Sequence, residues 1–144
     1  MKIVVDANVF VSAAIAKGAP HDLIVRWLRG ADYEILLRPL LVEEIESVLV
    51  IRESLRRYIL REEAETFVVM IATFGSLFPN PLSVATESRD QRDDYLIHFA
   101  RENNAELIVS GDRDLLEWLD QNPPVVTPRT FLERVDGGNL RNSQ

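Results

Sequence analysis

The sequence predicts an α/β domain built on a central, mostly parallel sheet of four to five strands. Three observations carry that expectation. Short β-branched runs bounded by turn residues, Ile3-Val4-Val5 and Leu107-Ile108-Val109, have the pattern of strands buried on both faces. Stretches of helical periodicity separate such runs along the chain, as a parallel sheet with crossover helices requires. Each of the two most apolar runs also ends on an acid: Asp6 closes the first, and Ser110-Gly111-Asp112 closes the second. Ligands of open α/β sheets sit at the carboxyl ends of the strands. Aspartates gathered there repel one another unless a cation stands among them, so the pattern points to a metal site.

The elements follow in order. After the first strand, Ser12 to Ala16 leads to the break Lys17-Gly18-Ala19-Pro20. A helix follows with Pro20 in its first turn, Leu23, Ile24, Trp27 and Leu28 on one face, and Gly30 as its stop. Tyr33 to Leu37 is the second strand, closed by Arg38-Pro39. From Leu40, the residues Leu41, Val42, Ile45, Val48 and Leu49 recur at helical spacing. Residues 51–60 are expected to be helical, as are Glu62 to Leu77, with Phe67, Ile71 and Phe74 on one stripe. Phe78-Pro79-Asn80-Pro81 ends that helix, and Leu82 to Glu87 is a short strand or loop. Asp90 and Asp93 open a helix in the manner of an N-cap and an acid three residues on; it reaches about Asn103. A strand at 106–110, a short helix around Leu115 to Leu119, a strand at Val125 to Thr127 and a helix through Phe131 complete the domain. A single domain over 1–136 is expected, with 137–144 as a frayed tail.

Composition narrows the function. A chain of 144 residues buries about two-thirds of its unfolded surface as one domain. No apolar stretch approaches the roughly 20 residues that span a bilayer, and the first residues lack a secretion-signal pattern. With no cysteine, disulfides and thiolate metal sites are excluded, which fits a cytoplasmic enzyme. Two histidines, His21 and His98, make a poor zinc site, so any metal is a hard cation held by oxygen. The net charge of −7 argues against a nucleic-acid partner unless the acids belong to the site itself. Arg52, Arg56, Arg57 and Arg61 are grouped within ten residues, where a solvated helix face is the commoner explanation.

Each acid has an ordinary alternative. Asp6 in a strand-to-helix turn can simply cap the next helix, and Asn8 can support the same turn. On the helix after the second strand, Glu43 points away from the apolar stripe, while Glu44 and Glu46 flank its two edges. Periodicity does not choose between those two. Asp93 shares a face with Leu96, Ile97 and Ala100, and can also serve as a cap stabilised by the helix macrodipole. Gly111 lets the backbone turn sharply before Asp112, whose neighbour Asp114 is either a further ligand or the cap of the next helix. Four acids on the strand-end side of one sheet are hard to explain as caps alone.

In this setting the chain resembles the PIN-domain family over nearly its whole length. The family opens on a strand with Asp in a D-x-N context, matched by Val5-Asp6-Ala7-Asn8-Val9. A Glu in an E-x-x-x-V-L helix is matched by Glu44 through Val48-Leu49, which favours Glu44 over Glu46. The third acid, seven residues before a helix alanine, is matched by Asp93 and Ala100. The last motif is matched by Ser110-Gly111-Asp112-Arg113-Asp114-Leu115, with Ser where many members carry Thr. Pro128-Arg129-Thr130-Phe131-Leu132 is similar to the VapC-like branch, toxin components of toxin–antitoxin pairs.

The resemblance implies a three-layer α/β/α fold and an endoribonuclease dependent on Mg²⁺ or Mn²⁺, leaving a 5′-phosphate and a 3′-hydroxyl. Asp6, Asp93 and Asp112 would be the principal ligands, and Glu44 a ligand or the group that positions water. Asp114 would be an auxiliary ligand, with Asn8 and Ser110 orienting the acids. Arg52, Arg56 and Arg57 are candidates for tracking the RNA backbone. A cognate antitoxin and a homodimer are the implied partners, and no membrane. An RNA-processing or flap nuclease without an antitoxin, and a non-catalytic interaction module, are the alternatives; the complete acid set disfavours the second. A phosphoacceptor domain would need a late lysine, and the only lysines are Lys2 and Lys17.

Overall fold

Five short strands form one sheet: β1 (Lys2–Val5), β2 (Glu34–Leu37), β3 (Ser76–Leu77), β4 (Leu107–Val109) and β5 (Val125–Val126). The computed structural model describes residues 1–79, 91–118 and 121–142, and only the backbone of 91–94 and 138–142. The strand order is β3-β2-β1-β4-β5, and every pairing is parallel. Ile3 lies opposite Ile35 on one side and opposite Leu107 on the other.

Successive side chains of a strand face opposite ways, and the core divides accordingly. Ile3, Val5, Ile35, Leu37, Leu107, Val109 and Val126 face one layer. That layer contains α1 (Ala7–Ile15), α2 (Ala19–Leu28), α3 (Pro39–Glu46), α4 (Arg61–Phe74) and α7 (Pro128–Asn142). Val4, Leu36, Ile108 and Val125 face the other, under α5 (Gln91–Glu102) and α6 (Arg113–Leu116). Helices thus cover both faces, the three-layer α/β/α arrangement. Phe10, Phe99 and Phe131 are fully buried, each contributing about 1.5–3 kcal/mol of transfer free energy.

The structure departs from the sequence-based expectations in three places. The helix expected to reach Leu77 ends at Phe74, and Ser76–Leu77 instead joins the sheet beside β2. Gly75 makes this possible: a Cβ there would stand 2.1 Å from Leu37 Cδ1, so only glycine lets the chain pass so close to β2. The expected strand or loop at 82–87 lies outside the described residues. Residues 51–60 do not form a continuous helix: a π-helical turn over Ser47–Ile51 is followed by a 3₁₀ turn over Glu53–Arg57. The last helix, expected through Phe131, runs to Asn142. Among the described residues no helix is long and apolar enough to cross a membrane.

Candidate active site

From β1 the chain builds the sheet outward through β2 and β3, then crosses back to lay β4 on the other side of β1. The direction of winding therefore reverses between β1 and β4, leaving a crevice at their carboxyl ends. Asp6 and Asp112 both stand there. The Asp6 N–H donates to the Val109 carbonyl at 2.9 Å, continuing the ladder one residue past the strand.

Ser110 joins the two acids. Its backbone N–H donates to Val126 O at 3.0 Å, and the residue is wholly buried. Its hydroxyl donates to Asp6 Oδ2 at 2.9 Å and accepts the Asp112 N–H at 3.0 Å. A hydroxyl has one proton, so the donor is committed to Asp6 and a lone pair to the Asp112 backbone. One buried side chain sets the relative placement of two segments 104 residues apart.

Both acids also cap helices, as their plainer reading requires. Asp6 Oδ1 accepts the Asn8 N–H at 3.4 Å at the start of α1. Asp112 Oδ1 accepts the Asp114 N–H at 2.9 Å at the start of α6. A carboxylate offers about four lone-pair sites, so capping a helix and meeting a cation are compatible roles for one acid. Two half-buried carboxylates at neighbouring strand ends offer oxygen donors, which suit a hard dication that keeps several waters. Among the described residues, no group of three acids or histidines converges as a metal cluster. The side chain of Asp93 lies outside the described residues; its backbone is in the first turn of α5.

The remaining expected residues are placed as follows. Glu44 is half-buried on α3, whereas Glu43 and Glu46 are exposed, so burial separates the two glutamates that periodicity left open. Asp114 is exposed, and its contribution to the crevice is a backbone N–H. Asn8 contributes its backbone N–H in the same way. Arg52 and Arg57 are exposed, with the Arg57 guanidinium 6.0 Å from the Tyr58 ring. Arg56 turns inward: Nη2 donates to Leu49 O, and Nε and Nη1 are buried without a partner among the described residues.

Sequence reasoning missed Arg38. It ends β2 as Asp6 ends β1, yet only 4% of it is exposed. Its guanidinium lies 4.5 Å from the Tyr95 ring and 5.5 Å from the Phe99 ring, and Nη1 donates to Tyr95 O at 3.2 Å. Desolvation holds its pKa below the usual arginine value, and the negative charge of Glu44 partly opposes that shift. Arg38 is thus a buried cation anchoring α5 to the strand-end region. The signal was present: the strand-end rule applied to acids applies equally to a base closing Ile35-Leu36-Leu37.

A parallel α/β sheet with Asp6 and Asp112 at its switch point defines an α/β domain with acids where such folds bind their ligands. More particularly, the PIN domain family model matches residues 2–114, from β1 through Asp114, and the chain belongs to that family. PIN domains are in general nucleases. An uncharacterized Methanocaldococcus jannaschii protein, MJ1680, is 27% identical over 145 residues, covering 94% of this chain and 92% of its own. The fold is similar to that of PAE2754 from Pyrobaculum aerophilum, with TM-score 0.66, 20% identity, and 95% and 90% of the two chains covered. It is also similar to a chain of VapBC2 from Rickettsia felis, bound there to a promoter DNA fragment. That match has TM-score 0.64, 11% identity, and 88% and 98% coverage.

Proposed function

We propose that this chain is a metal-dependent endoribonuclease and the toxin of a toxin–antitoxin pair, a single domain over 1–136 working in the cytoplasm. The observation that carries the reading is the Ser110 hydroxyl joining Asp6 and Asp112 at the switch point of the sheet. Family membership supports a nuclease, and the VapBC2 likeness motivates the toxin role and an antitoxin partner. A homodimer completes the proposed assembly.

In this mechanism Asp6, Asp112 and Asp93 would hold Mg²⁺ or Mn²⁺, directly or through water, with Asp114 as an auxiliary ligand. When bound, the ion supplies Lewis acidity at the scissile phosphate and offsets the charge that builds there. Ser110 keeps Asp6 and Asp112 in register by donating to one and accepting from the backbone of the other. Asn8 braces Asp6 through its N–H. Glu44 orients the attacking water or adds a ligand. Exposed Arg52 and Arg57 follow the RNA backbone, while Arg56 supports the turn that carries them.

The test is cleavage of a mixed single-stranded RNA pool with Mg²⁺ or Mn²⁺, against EDTA, Asp6→Asn and Asp112→Asn controls. Metal-dependent cutting that both substitutions abolish is expected. Equal cutting by folded Asp112→Asn protein overturns the site. Co-purification with the product of an adjacent small reading frame tests the toxin role.

A further inference from the structure

A hollow of about 450 Å³ opens against Asp112, in the size range of small-ligand sites. Val9 and Pro128 are buried in its floor, Pro20 is half-buried in its wall, and Asn8, Ser12 and Arg129 stand exposed at its rim. We propose that this hollow receives the base and sugar of one nucleotide of single-stranded RNA, the nucleotide next to the scissile phosphate. The inference rests on the nuclease reading above and adds to it where the substrate lies and what selects it.

Three observations carry the proposal. The first is contiguity. Asp112 is a wall of the hollow and a member of the strand-end pair, so a strand whose phosphate meets the acids has its neighbouring nucleotide at the mouth. The second is lining chemistry. An apolar floor with a few polar groups at the rim suits a planar base, because burial against Val9, Pro20 and Pro128 holds the ring while polar groups read its edge. The exposed Asn8 amide offers two donors and an acceptor, and the exposed Ser12 hydroxyl offers one donor. The Thr127 hydroxyl is already engaged with the N–H and hydroxyl of Thr130 at 3.1 and 3.0 Å, so it shapes the wall and does not read the base.

The third is charge. In a chain of net charge −7, a polyanion is tolerated only where a cation faces it. Arg129 lines the same hollow as Asp112, is exposed, and forms no ion pair among the described residues, leaving its guanidinium for a backbone phosphate. A duplex keeps its bases stacked and cannot present one to a hollow, whereas a loop or free strand can.

The experiment has two arms. A randomised RNA pool is cut by wild type, Ser12→Trp and Arg129→Ala with Mn²⁺, and the ends are sequenced. Separately, the four nucleoside 5′-monophosphates are titrated into metal-free protein, with backbone amide shifts recorded. Wild type is expected to prefer one base, about fivefold or more, at a position adjoining the cut. Ser12→Trp, projecting from the exposed surface of α1, flattens that preference and raises KM, and Arg129→Ala raises KM with the preference retained. At least one monophosphate shifts the amides of Val9, Ser12 and Arg129, and Ser12→Trp abolishes those shifts. Cutting without an adjoining preference, or with one that Ser12→Trp leaves intact, overturns the hollow and spares the nuclease. Monophosphate binding there without any cutting keeps the hollow and overturns the nuclease. Neither binding nor cutting overturns both.

Discussion

Replacing Ser110 by alanine isolates the contact on which the site depends. The substitution removes one heavy atom from a wholly buried position, so the cavity it leaves is small. What is lost is a hydrogen bond to the Asp6 carboxylate at 2.9 Å and one from the Asp112 N–H at 3.0 Å. A bond to a charged group contributes about 1.5–3 kcal/mol and a neutral one about 0.5–1.5 kcal/mol. The sum is about 2–4.5 kcal/mol, of which about 2–4 kcal/mol is carried forward, with the Asp112 N–H left without its partner. For a domain of this length each kcal/mol moves Tm by roughly 2–4 °C, which predicts a fall on the order of 4–16 °C. Circular dichroism melts in EDTA measure it without any contribution from bound cation. Ser110→Thr keeps the hydroxyl and is expected to recover most of the loss, less the strain of one added methyl. Mn²⁺ affinity, read by calorimetry, is expected to fall about 10–100-fold in Ser110→Ala because two candidate ligands lose their common brace. A Tm within 2 °C of wild type would refute the reasoning, since the hydroxyl would then not be supporting either strand end.

The remaining predictions concern the scaffold. Gly75→Ala places a methyl 2.1 Å from the buried Leu37 Cδ1 and is expected to cost about 1–3 kcal/mol, read as a lower urea midpoint at constant slope; an unchanged midpoint would show that Leu37 moves freely. Burial pushes the Tyr33 phenol up to about 12, with Arg26 pulling weakly the other way, while the unfolded chain titrates near 10. The folded state therefore retains a proton that the unfolded state releases: this stabilisation is complete below pH 10 and is lost as pH rises through about 12. Tyr33→Phe is expected to flatten that part of the stability profile, and persistence of the slope would assign it elsewhere. Arg38→Lys cannot reproduce the planar stacking on Tyr95 and Phe99 and is expected to cost about 1–2 kcal/mol by denaturant unfolding. Equal midpoints would mean that the buried charge alone matters.

Much of the fold was legible because its signals are local. Ile3-Val4-Val5 and Leu107-Ile108-Val109 announce themselves as buried strands through β-branching and flanking turn residues, and the acids that follow are adjacent in sequence. Ser76–Leu77 was not legible. Phe74 and Leu77 stand three apart and continue the helical stripe of α4, and two residues are too few to tell a period of 3.6 from a period of 2. What claims these two residues is parallel pairing with Leu36 and Leu37, forty positions earlier. The arginines show the same limit. Composition counts Arg38 and Arg56 as surface cations, and only packing shows that both guanidiniums are turned into the fold.

The sequence by itself determined the class of the domain, the alternation of its elements, and the identity and order of its acids, because periodicity and turn chemistry act over a few residues. Only the tertiary structure decided which strand ends are neighbours. The same folding assigned Ser110 to both acids, shaped the hollow beside Asp112 and buried Arg38. These depend on a parallel pairing between β1 and β4, whose hydrogen bonds join residues about a hundred positions apart. No local pattern encodes such a pairing, since it is selected by the joint burial of both faces of the sheet.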